Sequence, residues 1–390
     1  MNLKKIPKLK IGNLKAKIPI IQGGMAVGIS LSGLASAVAD AGGIGVIGTA
    51  GIGMLEHDAA KNITEANKRA LRKVIRKSKE MTRGIIGVNI MVALSDFYDM
   101  VKITVEEKAD LVFMGAGLPL RGLGMLVPNK LKKIKTKVVP IVSSSRAAKI
   151  IFQYWKKNYN HVPDAVVVEG PLAGGHLGFK KEQIDNPDFA LEKILPEVIS
   201  VIKPYENEFD KSIPIIAAGG IYSGADIYKY IKLGAQGVQM ATRFVATYEC
   251  DASIKFKEAY LKCQKDDLMI IDSPVGMPGR AVKNKFLEEV SSGVRKPFKC
   301  SWKCLKNCNF KKAPYCIALA LTNAQQGKLE DGFAFAGSNA YRVDKIISVK
   351  ELVANLSEEY KECQGDGSLD KKNVKGTVLL TILPQRYKMT

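Results

Sequence analysis

His176 stands where an imidazole could do chemistry. It is one of three histidines in the 390-residue chain, and it follows Ala173-Gly174-Gly175 and a β-branched run ending Val166-Val167-Val168-Glu169. A position just after two glycines and a buried strand is a poor one for a packing side chain. Imidazole changes charge near neutral pH. Here it could take a proton from an acidic carbon, or orient a carbon acid that is already ionised. The plainer alternative is a histidine that only braces its loop. His57, near a polar helix start, and His161, in a loop before Pro163, are expected at the surface.

A second group of residues suits an anion. The strand-like run Ile213–Ile221 ends in Gly219-Gly220, followed by the helix start Ser223-Gly224-Ala225-Asp226. Next comes Gly234 through Arg243, which contains Gln239-Met240-Ala241-Thr242. Bare backbone N–H groups beside a helix N-terminus can hold a phosphate dianion. Glycines here could also serve turn geometry alone. A phosphate site by itself does not separate FMN from a sugar phosphate.

A third group is sulfur. Cys300, Cys304 and Cys308 are spaced four apart, with Cys316 beyond them. On a helix the first three would share a face. Four thiolates could bind zinc or an iron–sulfur cluster, although the spacing is not the usual CxxC pair. The alternative is reduced, buried cysteine acting as a small hydrophobe.

The elements that must position these groups are legible as short apolar runs. They are 18–21, 43–48, 85–91, 111–114, 138–142, 165–168, 214–218 and 237–240. Most are continuous rather than alternating, which suits strands buried on both faces of a parallel sheet. Between them, 32–41, 62–80, 147–156 and 225–233 have helical spacing. Eight strand–helix units predict an α/β fold, a closed (β/α)8 TIM barrel. An open doubly wound sheet would want a GxGxxG at its first turn, and Gly23-Gly24-Met25 is not one. In a barrel the active site forms at the C-terminal strand ends. Glycines and small polar residues gather at most of these ends.

The organisation expected is a barrel core over 1–260, a cysteine-bearing extension over 261–356 packed near the barrel mouth, and a peripheral tail over 357–390. Two loops of the extension, Ser273–Arg280 and Gly332–Asn339, could cover the pocket.

Several of these segments resemble the nitronate monooxygenase family, formerly called 2-nitropropane dioxygenases. That family includes FMN-dependent enoyl-acyl-carrier-protein reductases of the second type. The segments are Pro19–Ala26, Gly87–Ile90, Ala173-Gly174-Gly175-His176-Leu177-Gly178, Ile215–Ile221 and Gly234–Phe244. The resemblance implies FMN and a barrel. It places Gly24 and Met25 at the flavin ring, Asn89 at the ring's polar edge and Glu169 as a polar flavin contact. Gly174 and Gly175 would pass the ring or ribityl chain. Gly219, Gly220, Gln239, Met240, Ala241 and Thr242 would hold the phosphate. Ala241 stands where the family often has glycine, and it still offers an N–H.

The activity implied is oxidation of an alkyl nitronate by oxygen to a carbonyl compound and nitrite, with His176 catalytic. The alternative on the same scaffold is NAD(P)H-dependent reduction of an enoyl thioester. A further alternative is a non-redox phosphate-binding barrel. The partner expected is thus a small molecule, a nitronate or an enoyl thioester.

Composition narrows the remaining classes. The formal net charge is +21, from 59 basic and 38 acidic residues scattered along the chain. This reads as a lysine-rich solvated surface, with attraction of anions as the alternative. No basic stripe interleaved with aromatics and no zinc-finger spacing points to nucleic acid. No apolar run reaches the roughly 18 residues of a membrane span, and the first residues lack a signal-peptide core. A cytoplasmic location is expected, and the seven cysteines do not suggest a disulfide framework. Oligomeric state is not legible.

Overall fold

The eight apolar runs become the eight strands of one closed parallel barrel. The structure, a computed structural model, describes residues 6–121, 134–300, 302–306 and 308–365. The chain enters through an antiparallel pair, β1 (Leu9–Ile11) and β2 (Leu14–Ala16). The barrel strands are β3 (Ile20–Gln22), β4 (Ile44–Gly48), β5 (Ile85–Met91), β6 (Leu111–Gly115), β7 (Lys137–Val142), β8 (Val166–Glu169), β10 (Ile215–Ala218) and β11 (Gly237–Met240). They close in the order β10-β11-β3-β4-β5-β6-β7-β8. Every residue of β4, β6, β10 and β11 is buried, which explains the unbroken apolar sequence of the first three; β11 carries the buried polar Gln239.

The barrel is a packed core, not a pore. Ile21, Val46, Phe113, Val139, Val167 and Ile216 fill its interior, and Leu9, Ile11 and Ala16 of the entering hairpin plug one end. The opposite end, where the strands terminate, is left open for a site.

Helices cover the outside. They are α1 (Ser32–Asp40), α2 (Ile63–Met81), α3 (Phe97–Glu106), α4 (Ser145–Tyr159), α5 (Leu191–Glu208) and α6 (Gly224–Lys232). Their starts follow local chemistry. Asn62 accepts the Glu65 N–H, Ser144 accepts the Ala147 N–H, and Ser223 and Asp226 cap each other. Helices α3 and α5 were not legible as particular segments; α5 carries Pro196 and Pro204 within it.

The short α7 (Thr242–Val245) follows β11, and α8 (Ile254–Lys262) follows that. The extension then adds β12 (Leu268–Asp272), β13 (Pro278–Val282), α9 (Lys285–Ser291), α10 (Ile317–Gln325) and α11 (Val349–Gly365). β12 and β13 form a hairpin, and β13 pairs with the two-residue β9 (Gly175–His176) that follows barrel strand β8. Helix α11 runs across position 357 and buries Leu352, Leu356 and Tyr360. Its Glu359 accepts the N–H of Gly224 at 2.6 Å, at the start of α6. Residues 366–390 of the expected tail lie outside the described residues. Among the described residues no helix is long and apolar enough to cross a membrane.

The helix on which Cys300, Cys304 and Cys308 would share a face is not formed among the described residues. The described residues among 294–316 run almost entirely without helix or strand. Lys303 takes a left-handed conformation at φ 46°, and Leu305 bridges antiparallel to Leu94 at the barrel mouth. Both are incompatible with a continuous helical face.

Close helix–strand packing sets one measurable constraint. A Cβ on Gly45 would lie 1.8 Å from the Ala35 carbonyl oxygen of α1. Gly45→Ala is expected to lower stability by about 2–3 kcal/mol through forced backbone shifts. Gly276→Ala, at an open turn with φ 79°, should lower it by only about 1 kcal/mol. Urea denaturation of the two variants beside the parent checks the contrast.

Candidate active site

A cavity of about 370 Å³ opens at the C-terminal strand ends. It gathers every flavin-site residue expected from the sequence: Gly24, Met25, Asn89, Glu169, Gly174, Gly175, Gly219, Gly220, Gln239, Met240, Ala241 and Thr242. His176 lines it as well. These residues come from the ends of β3, β5, β8, β10 and β11 and from the loop after β8. Only closure of the barrel brings them together. His57 is exposed and His161 half-buried, and neither lines the cavity.

Residues from the extension form much of the remaining wall, including Val275, Met277, Leu305, Ile317, Leu321 and Phe335. The expectation that the 273–280 and 332–339 loops approach the pocket is met by the hairpin turn and by Phe335 through Asn339. Asn339 donates from Nδ2 to the Gly220 carbonyl at 2.7 Å, joining the second loop to the phosphate end.

The glycines divide into two kinds. Gly24 and Gly174 make room for protein. A Cβ on Gly24 would fall 2.3 Å from the Asn89 Cβ, and one on Gly174 would fall 2.5 Å from the Ala336 carbonyl carbon. Gly175, Gly219 and Gly220 take positive φ at 75°, 92° and 83°. A Cβ on Gly175 would meet nothing within 4 Å.

His176 is held from three sides. Its Nε2 shares a 2.7 Å hydrogen bond with the buried Ser273 Oγ. Its ring meets Phe335 edge-on, with centroids 5.0 Å apart. Its backbone belongs to β9, in register with Gly279 of β13. Burial lowers its pKa to about 4, so the imidazole is neutral at physiological pH. Burial also raises the Glu169 carboxyl to about 7, so near neutrality both its protonated and its ionised form are populated. No Lys or Arg lines the cavity among the described residues.

The residue that ties this assembly together was not foreseen. Arg280 is 6% exposed, and its Nη1 donates to the carbonyls of Pro171 at 2.7 Å and Ala173 at 2.6 Å. It thereby holds the segment between Glu169 and His176. Ser273 and Phe335 were also missed as partners of His176. They are remote in sequence, and no local pattern marks them.

A profile of known nitronate monooxygenases matches residues 8–359. The chain belongs to the nitronate monooxygenase family. A probable nitronate monooxygenase of Staphylococcus aureus is 26% identical over 307 residues, covering 71% of this chain and 79% of that protein. Among solved structures, FabK from Thermotoga maritima is 29% identical, with TM-score 0.70, over 92% of this chain and 96% of its own. A nitroalkane oxidase from Streptomyces ansochromogenes shares the fold at 22% identity and TM-score 0.68, over 90% and 97%. The fold is the expected TIM barrel, and the chain is an oxidoreductase of a flavin-using family that acts on small molecules. The non-redox barrel therefore falls away.

The Arg280 tie makes its own prediction. Arg280→Met keeps an apolar body but strands two buried carbonyls, at a cost of about 2–4 kcal/mol. Thermal unfolding should show the loss. Flavin content should fall more than in a surface substitution of equal charge, such as Lys262→Met.

Proposed function

We propose that the chain is an FMN-dependent enzyme that oxidises an alkyl nitronate with oxygen, giving a carbonyl compound and nitrite. The observation that carries this reading is a neutral, rigidly held His176 on the wall of a cavity with a phosphate-type cradle at one side.

The residues present fit FMN. Gln239 Oε1 is buried without a hydrogen-bond partner at the cavity wall, an acceptor suited to a ligand donor. Gly219, Gly220 and the start of α7 at Ala241-Thr242 suit the phosphate. Gly24, Met25 and Asn89 suit the ring, and open space at Gly175 admits a ligand beside the backbone. Glu169, its pKa raised to about 7 by burial, can in its protonated form donate a hydrogen bond to a polar ring atom. FMN supplies the redox chemistry when bound, and the protein supplies position and electrostatics.

His176 does the protein's part at the substrate. As a neutral imidazole it can take a proton from the carbon of a nitroalkane, or present a hydrogen bond to an ionised nitronate. Ser273 and Phe335 fix the ring so that it faces one place in the cavity.

A second reading has its own observation. Among the described residues no Lys or Arg lines the cavity wall to offset a substrate anion, while Met54, Leu94, Leu305, Ile317 and Leu321 form an aliphatic surface. An uncharged enoyl thioester with an apolar chain, reduced at the expense of NAD(P)H, suits that lining.

Two measurements test these readings. The purified protein should be yellow, and anaerobic propyl-nitronate should bleach it, with nitrite appearing once oxygen is admitted. Bleaching by NADPH and turnover of crotonyl thioester, without response to nitronate, would instead select the reductase. His176→Ala should lower kcat/KM by about 100-fold or more; unchanged turnover would remove His176 from the chemistry.

The pH profile gives an independent check. A histidine must be unprotonated to accept a proton, and burial depresses its pKa. The acid limb of kcat/KM that depends on His176 should therefore fall near pH 4, not near the ordinary value of about 6.5. Any inflection near 7 belongs to Glu169 and should vanish in Glu169→Gln.

A further inference from the structure

We propose that Ser273 is a positioning residue for His176: its hydroxyl donates to Nε2, so that the ring presents Nδ1–H, as a donor, to a carbon acid that arrives already ionised. The inference rests on the reading above that places His176 at the substrate. It selects one of the two roles open to that ring.

The geometry commits one ring nitrogen. Nε2 lies 2.7 Å from Ser273 Oγ. Ser273 belongs to the hairpin turn and His176 lines the cavity, so the bonded nitrogen is the one turned to the hairpin. The ring makes no second hydrogen bond among the described residues, which leaves Nδ1 for a ligand.

Ser273 is fixed where this bond needs it. It directly follows β12 and is 6% exposed. Its N–H donates to the Met277 carbonyl at 3.2 Å, and its carbonyl accepts the Gly276 N–H at 2.9 Å. Both backbone groups are thus used within the turn, and the hydroxyl is left for His176. On the other side of the turn, the Leu177 N–H donates to the Pro278 carbonyl at 2.9 Å, beside the Gly279–His176 pair. Phe335, edge-on to the ring, is itself held. It bridges to Ala281, and its carbonyl accepts the Tyr260 O–H at 2.5 Å.

Proton accounting then sets the tautomer. A hydroxyl carries one proton, and a neutral imidazole carries one on either nitrogen. With the ring proton on Nε2, the ring would donate to Oγ, and the Ser273 proton would have no acceptor among the described residues. With a bare Nε2, the hydroxyl donates to it and the ring proton sits on Nδ1. A buried donor without an acceptor is costly, so the second arrangement is favoured.

Two features weigh against proton abstraction by this ring. Its partner is a neutral hydroxyl, not the carboxylate that stabilises an imidazolium in a catalytic triad. Burial also holds its pKa near 4, which makes it a poor acceptor for a carbon-bound proton. As a donor it forms a charge-assisted hydrogen bond to an oxyanion such as a nitronate oxygen. Among the described residues no three His, Cys, Asp or Glu side chains are grouped to hold a metal ion, the expected Cys300, Cys304, Cys308 and Cys316 included. Neither ring nitrogen therefore belongs to a metal-ligand set.

The test reads the proton directly. The chain has three histidines, so ¹⁵N-histidine labelling gives three rings to resolve, and His176→Ala identifies one of them. Long-range proton–nitrogen correlation at neutral pH should show His176 with Nδ1–H and a bare Nε2. Ser273→Ala should shift the ring toward Nε2–H or mix the two tautomers while flavin content is kept. Ser273→Thr should keep Nδ1–H. In turnover, propyl-nitronate should exceed neutral nitropropane by about 100-fold or more in kcat/KM. Ser273→Ala should lower kcat/KM for the nitronate about tenfold, and Ser273→Thr should restore most of it. A bare Nδ1 in the unmodified protein overturns the proposal. So does neutral nitropropane turned over as fast as its nitronate, or a tautomer unchanged in Ser273→Ala. Should Ser273→Ala lose flavin, the tautomer of the unmodified protein decides alone. Failure of the nitronate reading looks different: Nδ1–H in place, no response to nitronate and bleaching by NADPH. That result overturns the ionised-substrate part and supports Ser273 as the residue that sets the ring.

Discussion

Arg280 belongs to the extension, yet its buried guanidinium is bonded to two carbonyls in the barrel's own loop after β8. A guanidinium stays charged at any pH the protein meets, so burying it is costly unless its donors are used. Charged hydrogen bonds to Pro171 and Ala173 offset part of that cost and make the contact hard to break. The same strand pairs Gly279 with His176 and Arg280 with Gly175. Loop position, imidazole orientation and the place of the hairpin are therefore one coupled arrangement. Ser273, at the other end of that hairpin's turn, completes it.

This coupling explains why the extension is part of the site. A bare barrel would present strand-end glycines to water. The hairpin, the 332–339 loop and the cysteine loop turn that mouth into an enclosed cavity. Enclosure then sets the electrostatics. Desolvation pushes His176 toward its neutral form and Glu169 toward its protonated form. Both shifts have the same cause, and both leave the cavity with little net charge.

The barrel was readable because buried parallel strands need continuous apolar runs, and 111–114 and 215–218 show them plainly. The flavin-site residues were readable because they cluster at the ends of those strands, where glycines mark close approach. Arg280 and Ser273 were not. They act across sequence separations of about a hundred residues, through a sheet whose third strand is only two residues long. Nothing in Gly175-His176 reads as a strand. The cysteine spacing left its backbone conformation open. A four-residue interval is helical only if the backbone allows it, and the left-handed Lys303 and the Leu94–Leu305 bridge impose a loop. The elements β1, β2, β12 and β13 are too short or too mixed in pattern to stand out.

The contrast between surface and cavity bears on what the enzyme can select. A chain with formal charge +21 attracts anions at long range, but salt screens that attraction beyond about 10 Å. Inside the cavity no Lys or Arg among the described residues meets them. An anion that enters must therefore be held by hydrogen bonds from His176, from backbone N–H groups or from a protonated Glu169. Such donors discriminate by position more than by charge. An apolar chain needs none of them, because the aliphatic wall from the extension binds it by burial at about 25 cal/mol per Å². Selectivity should then lie in the match between a small polar head near His176 and the length of the apolar part behind it. The extension, which supplies that wall, is where relatives with the same barrel can differ in substrate.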